Sequence, residues 1–410
     1  MPVSHGEPDL PASALSLIQS PIADSRRDME IPFNRPYAGE KELAYIAQAI
    51  SLGHLSGDGE FARRCERWLE DSFGSTKALL THSCTAALEM AAILCELGAG
   101  DEVVMPAFTH PSTANAIVLR GATPVFVDVR FDTMNLDETL IEDAITQRTK
   151  AIVAVHYAGV GCEMDAILDI ARRHNLLVIE DAAQGIMTRY NGRYLGTLGN
   201  IGALSFHETK NVLSGEGGAI LINDPRYAER AVVIREKGTN RAAFFRGEIE
   251  RYEWIDIGSS YLPAEIVAAF LWAQLEQIFE LTRRRKEIWR RYHQGLEELE
   301  LAGLLRRPVI PPSCEHNGHL YYLVMPDAKT RSRMIAGLKA REISAPFHFV
   351  PLHTSPLGAR FGRTHGCLRN TEIAGECLLR LPMWIGIEAQ LNRVIDDISS
   401  VARQLAAARV

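Results

Sequence analysis

The chain has 410 residues, 47% of them hydrophobic and 23% charged, with a formal charge of -7. That length exceeds one compact core, no apolar run is long enough to span a bilayer, and the acidic balance argues against a general nucleic-acid binder, which needs a basic face to displace counterions. Seven cysteines, at 65, 84, 95, 162, 314, 367 and 377, form no C-x-x-C pair and are odd in number, which speaks against a disulfide scaffold or zinc site and fits a reducing cytoplasm.

Residues 1–30 mix Pro, Ser, Asp and Arg without a continuous apolar stretch and are read as a flexible tail, not a signal peptide. Beyond Gly39, Leu43, Ile46, Ala47 and Ile50 recur at helical spacing, and so do Phe61, Cys65, Trp68 and Leu69. Short apolar runs at 78–81, 102–105, 123–128, 151–156, 176–181, 202–206 and 218–222 predict strands. Helical patterns at 84–97, 111–120, 137–147 and 163–174 separate several of them. This alternation predicts a large α/β domain on a mainly parallel sheet covered on both faces. A glycine-rich loop, not a helix, divides the last two runs, which marks a change of sheet topology. Residues 263–303 predict one long helical region or two helices, with the basic stretch Arg283–Lys286 as a solvated face. A strand at 321–325 and helices at 331–340 and 388–406 then predict a smaller C-terminal α+β domain. The expected division is a tail over 1–30, a large domain over 31–262, and a linking helix with the small domain over 263–410.

Three segments carry chemistry. Ser205-Phe-His-Glu-Thr-Lys210-Asn211, followed by Ser214-Gly-Glu-Gly-Gly218, sets a lysine at the carboxyl end of a strand, where α/β proteins build their sites. By itself it reads more readily as a solvated surface lysine beside a hairpin turn, and only the other segments tip it toward chemistry. The strand ending in Glu180-Asp181-Ala-Ala-Gln184 offers a carboxylate to a pyridinium nitrogen and small residues on which a ring lies flat. Asp181 alone serves as readily as a helix N-cap. Thr81-His-Ser-Cys84-Thr85 ends a strand and opens a helix, whose free N–H groups attract a phosphate or are simply capped. Together, a phosphate cradle, a ring-nitrogen carboxylate and a lysine at strand ends predict a pyridoxal-phosphate site. No G-x-G-x-x-G marks a dinucleotide site, no G-x-S-x-G elbow occurs, and His316 and His319 lack a third metal ligand and read as surface histidines. No metal is expected.

These strings, with Gly57-Asp-Gly-Glu-Phe-Ala-Arg-Arg-Cys65, His156-Tyr-Ala-Gly159, residues 234–241 and 244–247, Asp256-Ile-Gly-Ser-Ser-Tyr261 and Pro351-Leu-His353, carry a family resemblance. From about Ile31 to its end the chain resembles the DegT/DnrJ/EryC1/StrS nucleotide-sugar aminotransferases, most closely the TDP-4-amino-4,6-dideoxygalactose transaminases. The resemblance implies the fold type I, aspartate aminotransferase-like architecture and pyridoxal 5'-phosphate as cofactor. Lys210 is implied as the lysine that bonds the cofactor and shuttles the proton, Asp181 as the ring-nitrogen partner, and Gln184 as a contact to the ring hydroxyl. Cys84, Thr85 and Ser205 are implied as phosphate contacts, and Ser260 as a phosphate contact reaching from the partner subunit of a homodimer. His110 stands where relatives carry an aromatic ring stacked on the cofactor, and imidazole still stacks. Family dehydratases carry histidine in place of the lysine, so Lys210 favours amino transfer.

The implied reaction moves an amino group from L-glutamate to TDP-4-keto-6-deoxy-D-glucose, giving a TDP-4-amino-4,6-dideoxyhexose of galactose or glucose configuration. A 3-aminotransferase, or one acting on a UDP- or GDP-linked sugar, is the alternative within the class. A non-catalytic, cofactor-binding regulatory module is the alternative outside it, against which every catalytic position being filled counts. Arg235, Lys237, Arg241, Arg246 and Arg251 cluster with Phe244 and Phe245, predicting a diphosphate and base site in which Arg241, Phe245 and Arg246 are the chosen contacts. The same cluster also reads as an ordinary basic loop. His348 and His353 are expected near the sugar. No membrane or nucleic-acid partner is expected, and the enzyme is expected in the cytoplasm.

Overall fold

The computed structural model describes residues 31–408, so the expected tail lies outside the described residues. Two helices, α1 (Glu40–Ser51) and α2 (Glu60–Phe73), open the fold. The second stops at Gly74, whose φ of 75° is the left-handed conformation that glycine adopts without strain. Then come β1 (Lys77–Thr81), α3 (Cys84–Leu94), β2 (Glu102–Pro106), α4 (Pro111–Val118), β3 (Thr123–Val127), β4 (Thr149–Val155), α5 (Met164–His174), β5 (Leu177–Asp181), β6 (Ile201–Ser205) and β7 (Gly218–Ile222). The helix expected over 137–147 shrinks to short turns at Glu138–Leu140 and Ile141–Ala144, because Ile145 turns extended toward β4.

The main sheet has eight strands. Its order is β1-β7-β6-β5-β4-β2-β3, closed at the far edge by β9 (Arg363–Thr364). Only β7 runs antiparallel to its neighbours, at the position the glycine-rich loop marked. All residues of β2, β6 and β7 are buried, as befits strands covered on both faces. One core lies on each face of the sheet. Helix α3, apolar nearly all round, fills one of them, and α2 and α5 border the other. Beyond β7 follow α6 (Ala228–Arg235), α7 (Glu265–Leu275) and α8 (Ile278–Gly295). A separate core unites α8 with β8 (Tyr321–Val324), α9 (Ala328–Lys339), β10 (Leu378–Leu381) and α10 (Leu391–Ala407). Ile31 belongs to this separate core and pairs with Ile343, while β9 joins the main sheet, so the chain passes between the two units at both places. Among the described residues, no helix is long and apolar enough to cross a membrane.

Within the stretch Arg283–Lys286, Arg283 and Lys286 are exposed as a solvated face expects, but Arg285 is buried. Arg285 falls in register with Leu281, Ile288 and Tyr292 on the buried side of α8. It donates to the carbonyls of Gly318, His319 and Met383 at 3.1, 2.5 and 3.0 Å.

Candidate active site

Strands β1, β2, β4, β5 and β6 run the same way, so their carboxyl ends share one edge of the sheet. A cavity of about 400 Å³ opens there, within the range of small-molecule sites. Ser83, Cys84 and Thr85 after β1, Thr109 and His110 after β2, His156 after β4, Asp181 and Gln184 at the end of β5, and Ser205 and Lys210 after β6 all line it. The second unit closes it with His319, His348, Phe349 and Arg380.

Each polar wall is held by identifiable partners. The Thr113 hydroxyl donates to Asp181 Oδ2 at 2.7 Å and the Ala183 N–H to Oδ1 at 3.2 Å. No cation pairs with Asp181 among the described residues, so its charge faces the cavity. Behind it, the buried Glu180 carboxylate accepts the N–H groups of Gly196, Leu198 and Gly199 at 2.8, 2.7 and 2.7 Å. His156 Nδ1 accepts from the Cys162 N–H, so Nε2 carries the proton and donates to Glu180 at 2.9 Å. Gln184 Oε1 accepts the Ala158 N–H at 2.7 Å, leaving the Nε2 end of the amide as the donor available to the cavity. Ser83 caps α3 by accepting the Ala86 N–H, so the simple capping reading of this segment holds alongside its place in the cavity wall. Strand β7 approaches this helix start so closely that a Cβ at Gly218 would lie 2.4 Å from the Cys84 nitrogen.

The Lys210 side-chain amine has no hydrogen-bond or ion-pair partner among the described residues. Burial of its amine by the cavity walls lowers its pKa, with a smaller push from the Arg380 charge. Burial likewise keeps His110 and His348 below the ordinary imidazole range. The Cys84 thiol is pushed well up by burial and by Asp181, so it faces the cavity as a neutral group.

Eight of the expected residues therefore meet in one cavity: Lys210, Asp181, Gln184, Cys84, Thr85, Ser205, His110 and His348. Ser260, Arg241, Phe245, Arg246 and His353 do not line it. Ser260 is exposed and bridges to Glu236. Arg241 lies over the Phe245 ring at 4.8 Å, and Arg246 pairs with Glu248 at 2.6 Å. His353 approaches Glu372 at 3.6 Å. Arg235 is buried between Glu66 and Asp58, so the basic cluster is not one continuous patch. His319 is not a surface histidine, and His316 is half-buried. His316 packs on Trp289, with ring centroids 4.5 Å apart, and His319 is buried with Nδ1 2.8 Å from Asn211 Oδ1. Sequence reasoning passed over Thr113, Phe349 and Arg380. An arginine in the otherwise apolar strand Leu378–Leu381 was the available signal for the last.

With this geometry in place, comparison with known proteins is decisive. A profile of the DegT/DnrJ/EryC1/StrS aminotransferase family matches residues 36–399. The chain belongs to that family. It is 34% identical over 388 residues to the spore coat polysaccharide biosynthesis protein SpsC of Bacillus subtilis (strain 168), covering 93% of this chain and 98% of SpsC. The solved aminotransferase TlmJ of Streptoalloteichus hindustanus is 31% identical with a TM-score of 0.84, covering 92% of this chain and 100% of TlmJ. DesV of S. venezuelae, solved in complex with a ketimine intermediate, is 32% identical with a TM-score of 0.82, covering 91% and 98%. The protein is thus a fold type I, pyridoxal-phosphate-dependent sugar aminotransferase of the DegT/DnrJ/EryC1/StrS family. The donor set suits that cofactor: an unpaired carboxylate, an unpaired amine, and hydroxyls at a helix start face one another across a single cavity.

Proposed function

We propose that this enzyme transfers the amino group of L-glutamate to C4 of TDP-4-keto-6-deoxy-D-glucose, in a cytoplasmic homodimer with shared sites. The observation that carries the reading is that Lys210 and Asp181, neither paired with an opposite charge, line the same cavity. When bound, the cofactor supplies an electron sink for the reacting carbon. Lys210 would hold its carbonyl carbon, Asp181 its ring nitrogen, Gln184 Nε2 its ring hydroxyl, and Ser83, Cys84, Thr85 and Ser205 its phosphate at the start of α3. His110 would wall one ring face. The Thr113 hydroxyl aims the Asp181 carboxylate.

In the donor half, Lys210 takes the proton from the α-carbon of glutamate. In the acceptor half it returns a proton to C4 of the sugar. The lowered pKa leaves the amine neutral, and so basic, at lower pH than an ordinary lysine. The enclosing walls shield these transfers from bulk water.

Sugar and nucleotide specificity rests on the family strings and on the likeness to SpsC, a polysaccharide biosynthesis protein by name. Homodimer formation is supported by apolar side chains left exposed near Ser260. Trp254 is 81% exposed, and Ile255 and Ile257 are also open to solvent. In such a dimer, Ser260 and the Arg241–Arg246 segment, which lie outside their own cavity, would serve the partner's. The division into a cofactor-binding domain over 31–262 and a smaller unit over 263–410 is part of the same proposal.

The test is to incubate the enzyme with 15N-labelled L-glutamate and, in turn, the TDP-, UDP- and GDP-linked 4-keto-6-deoxy sugars. Labelled TDP-4-amino-4,6-dideoxyhexose is expected, with its C4 configuration read by NMR. Label in a UDP or GDP product alone, or at C3, would refute the assignment.

A further inference from the structure

We propose that His319 is a positioning residue for Lys210, its Nε2 lone pair turned into the cavity as the acceptor for the lysine's ammonium form. This deepens the proton-carrying role proposed above and rests on it. His319 lines the cavity together with Lys210 and is only 7% exposed. Three of its four polar atoms are committed: the N–H donates to Asn317 Oδ1 at 2.9 Å, the carbonyl accepts from Arg285 Nη2 at 2.5 Å, and Nδ1 lies 2.8 Å from Asn211 Oδ1. Asn211 follows Lys210 directly in the chain, so the imidazole is tied to the lysine's own neighbour. The tautomer follows from two amides. Asn317 Nδ2 donates to the carbonyls of Gln184 and Ile186, both at 2.8 Å, which leaves its Oδ1 for the His319 N–H. Asn211 Nδ2 in turn donates to the Asn317 carbonyl at 3.0 Å, so Asn211 Oδ1 faces the ring. An oxygen at that place requires the proton on Nδ1. Nε2 keeps its lone pair, has no partner among the described residues, and is not sealed in the core but open to the cavity.

The surroundings keep this nitrogen free of a proton. Burial depresses the His319 imidazole most, and Lys210, Arg285, His348 and Arg380 push the same way, Lys210 most strongly among them. Lys210 itself is faced by Cys84, Asp181 and Arg380, and lies near enough to His110 and His348 to depress both. An amine that carries a proton passes through an ammonium, whose three N–H groups need acceptors. Asp181 is assigned to the ring nitrogen, and Gln184 Oε1 already accepts the Ala158 N–H. His319 Nε2 is an acceptor that neither the protein nor those cofactor contacts use. Its neutrality matters. A carboxylate in its place would pin the proton on Lys210 by ion pairing and raise the lysine's pKa. A buried, neutral imidazole nitrogen holds the ammonium by one hydrogen bond, does not take the proton itself at neutral pH, and leaves it free to move on.

The test separates the two edges of the ring. In His319→Asn the amide Nδ2 replaces Nδ1 and keeps the bond to Asn211, but no atom stands at Nε2. In His319→Gln the amide Oε1 replaces Nε2 as an acceptor, and the bond to Asn211 is lost. Wild type and both variants, each checked for native circular dichroism, are loaded with pyridoxamine 5'-phosphate, which leaves the Lys210 amine free. Labelling with acetic anhydride across pH, with the Lys210 peptide quantified by mass spectrometry, gives the pKa of that amine without any turnover. His319→Asn should lower it by about one to two pH units, the scale of one hydrogen bond to a charged group. His319→Gln should stay within about half a unit of wild type, less than such a bond is worth. In the donor half-reaction, where neutral Lys210 takes the proton, the ascending limb of the pH profile should move down with the labelling value. A wild-type value in His319→Asn would overturn the assignment. So would a larger fall in His319→Gln than in His319→Asn, which would make the Asn211 bond the whole role of the ring. If His319→Asn does not fold, the same fall is required of His319→Leu. A fall in the labelling value with no movement of the kinetic limb supports the acceptor and refutes Lys210 as the proton carrier, so the two failures are distinguishable.

Discussion

Replacing Glu180 by Gln isolates the support beneath the ring-binding carboxylate. Glu180 is fully buried, and its two oxygens accept four donors: Leu198 and Gly199 N–H on Oε1, Gly196 N–H and His156 Nε2–H on Oε2. Glutamine offers one accepting oxygen and one donating NH2. Whichever way the amide turns, two donors meet an NH2 group. His156 cannot escape by moving its proton to Nδ1, because that atom accepts the Cys162 N–H. Two unsatisfied buried donors cost about 2–6 kcal/mol, at about 1–3 kcal/mol each. The assay is thermal unfolding of wild type and Glu180→Gln at equal cofactor concentration, with the melting midpoint lowered by several degrees. The residue next to Asp181 also shifts, so apparent cofactor affinity should fall. A variant melting within one degree of wild type, with unchanged cofactor affinity, would refute the reasoning.

Asp181→Asn should slow both half-reactions by about a hundredfold or more, the scale of removing a group that stabilises charge in the transition state; single-turnover rates equal to wild type would assign the ring nitrogen to another residue. The pH profile of the sugar half-reaction should rise as Lys210 loses its proton, with the ascending limb below the ordinary lysine value of 10.5, because burial favours the neutral amine; a limb at that value would contradict it. Glu102 is held down to about 2, chiefly by Arg363, which joins β9 to the main sheet. Its folded value is depressed, so its contribution to stability is present above the ordinary carboxylate range and is lost as pH falls toward 2. Glu102→Gln should therefore be less stable at neutral pH and flatten the acid side of the stability curve, whereas parallel curves for both proteins would exclude this linkage.

The parallel sheet was legible because its strands are short apolar runs separated by helical periods, and the reversal at β7 because a glycine-rich loop replaces the crossover helix. The residues meeting at the strand ends could be named for the same reason: a lysine, a carboxylate and a hydroxyl-bearing helix start follow directly after strands. The cavity's opposite wall was less legible. Arg380, His319 and Phe349 come from turns and a strand more than a hundred residues away from Lys210 in the chain, and only folding sets them against it. Arg285 was read as solvated because its neighbours are charged, although the spacing from Leu281 to Tyr292 puts it on the buried stripe. Composition also misplaced His319, since its neighbours in the chain carry no local sign of its burial.

The central claim is that this cavity performs transamination through Lys210. The most direct test is the absorbance spectrum of purified enzyme, wild type and Lys210→Ala, before and after L-glutamate and then TDP-4-keto-6-deoxyglucose. Wild type should show a visible cofactor band that fades with glutamate and returns with the sugar, while the folded Lys210→Ala protein completes no such cycle. A wild-type protein that forms no band with added pyridoxal phosphate, or a Lys210→Ala variant that cycles at the wild-type rate, would contradict it.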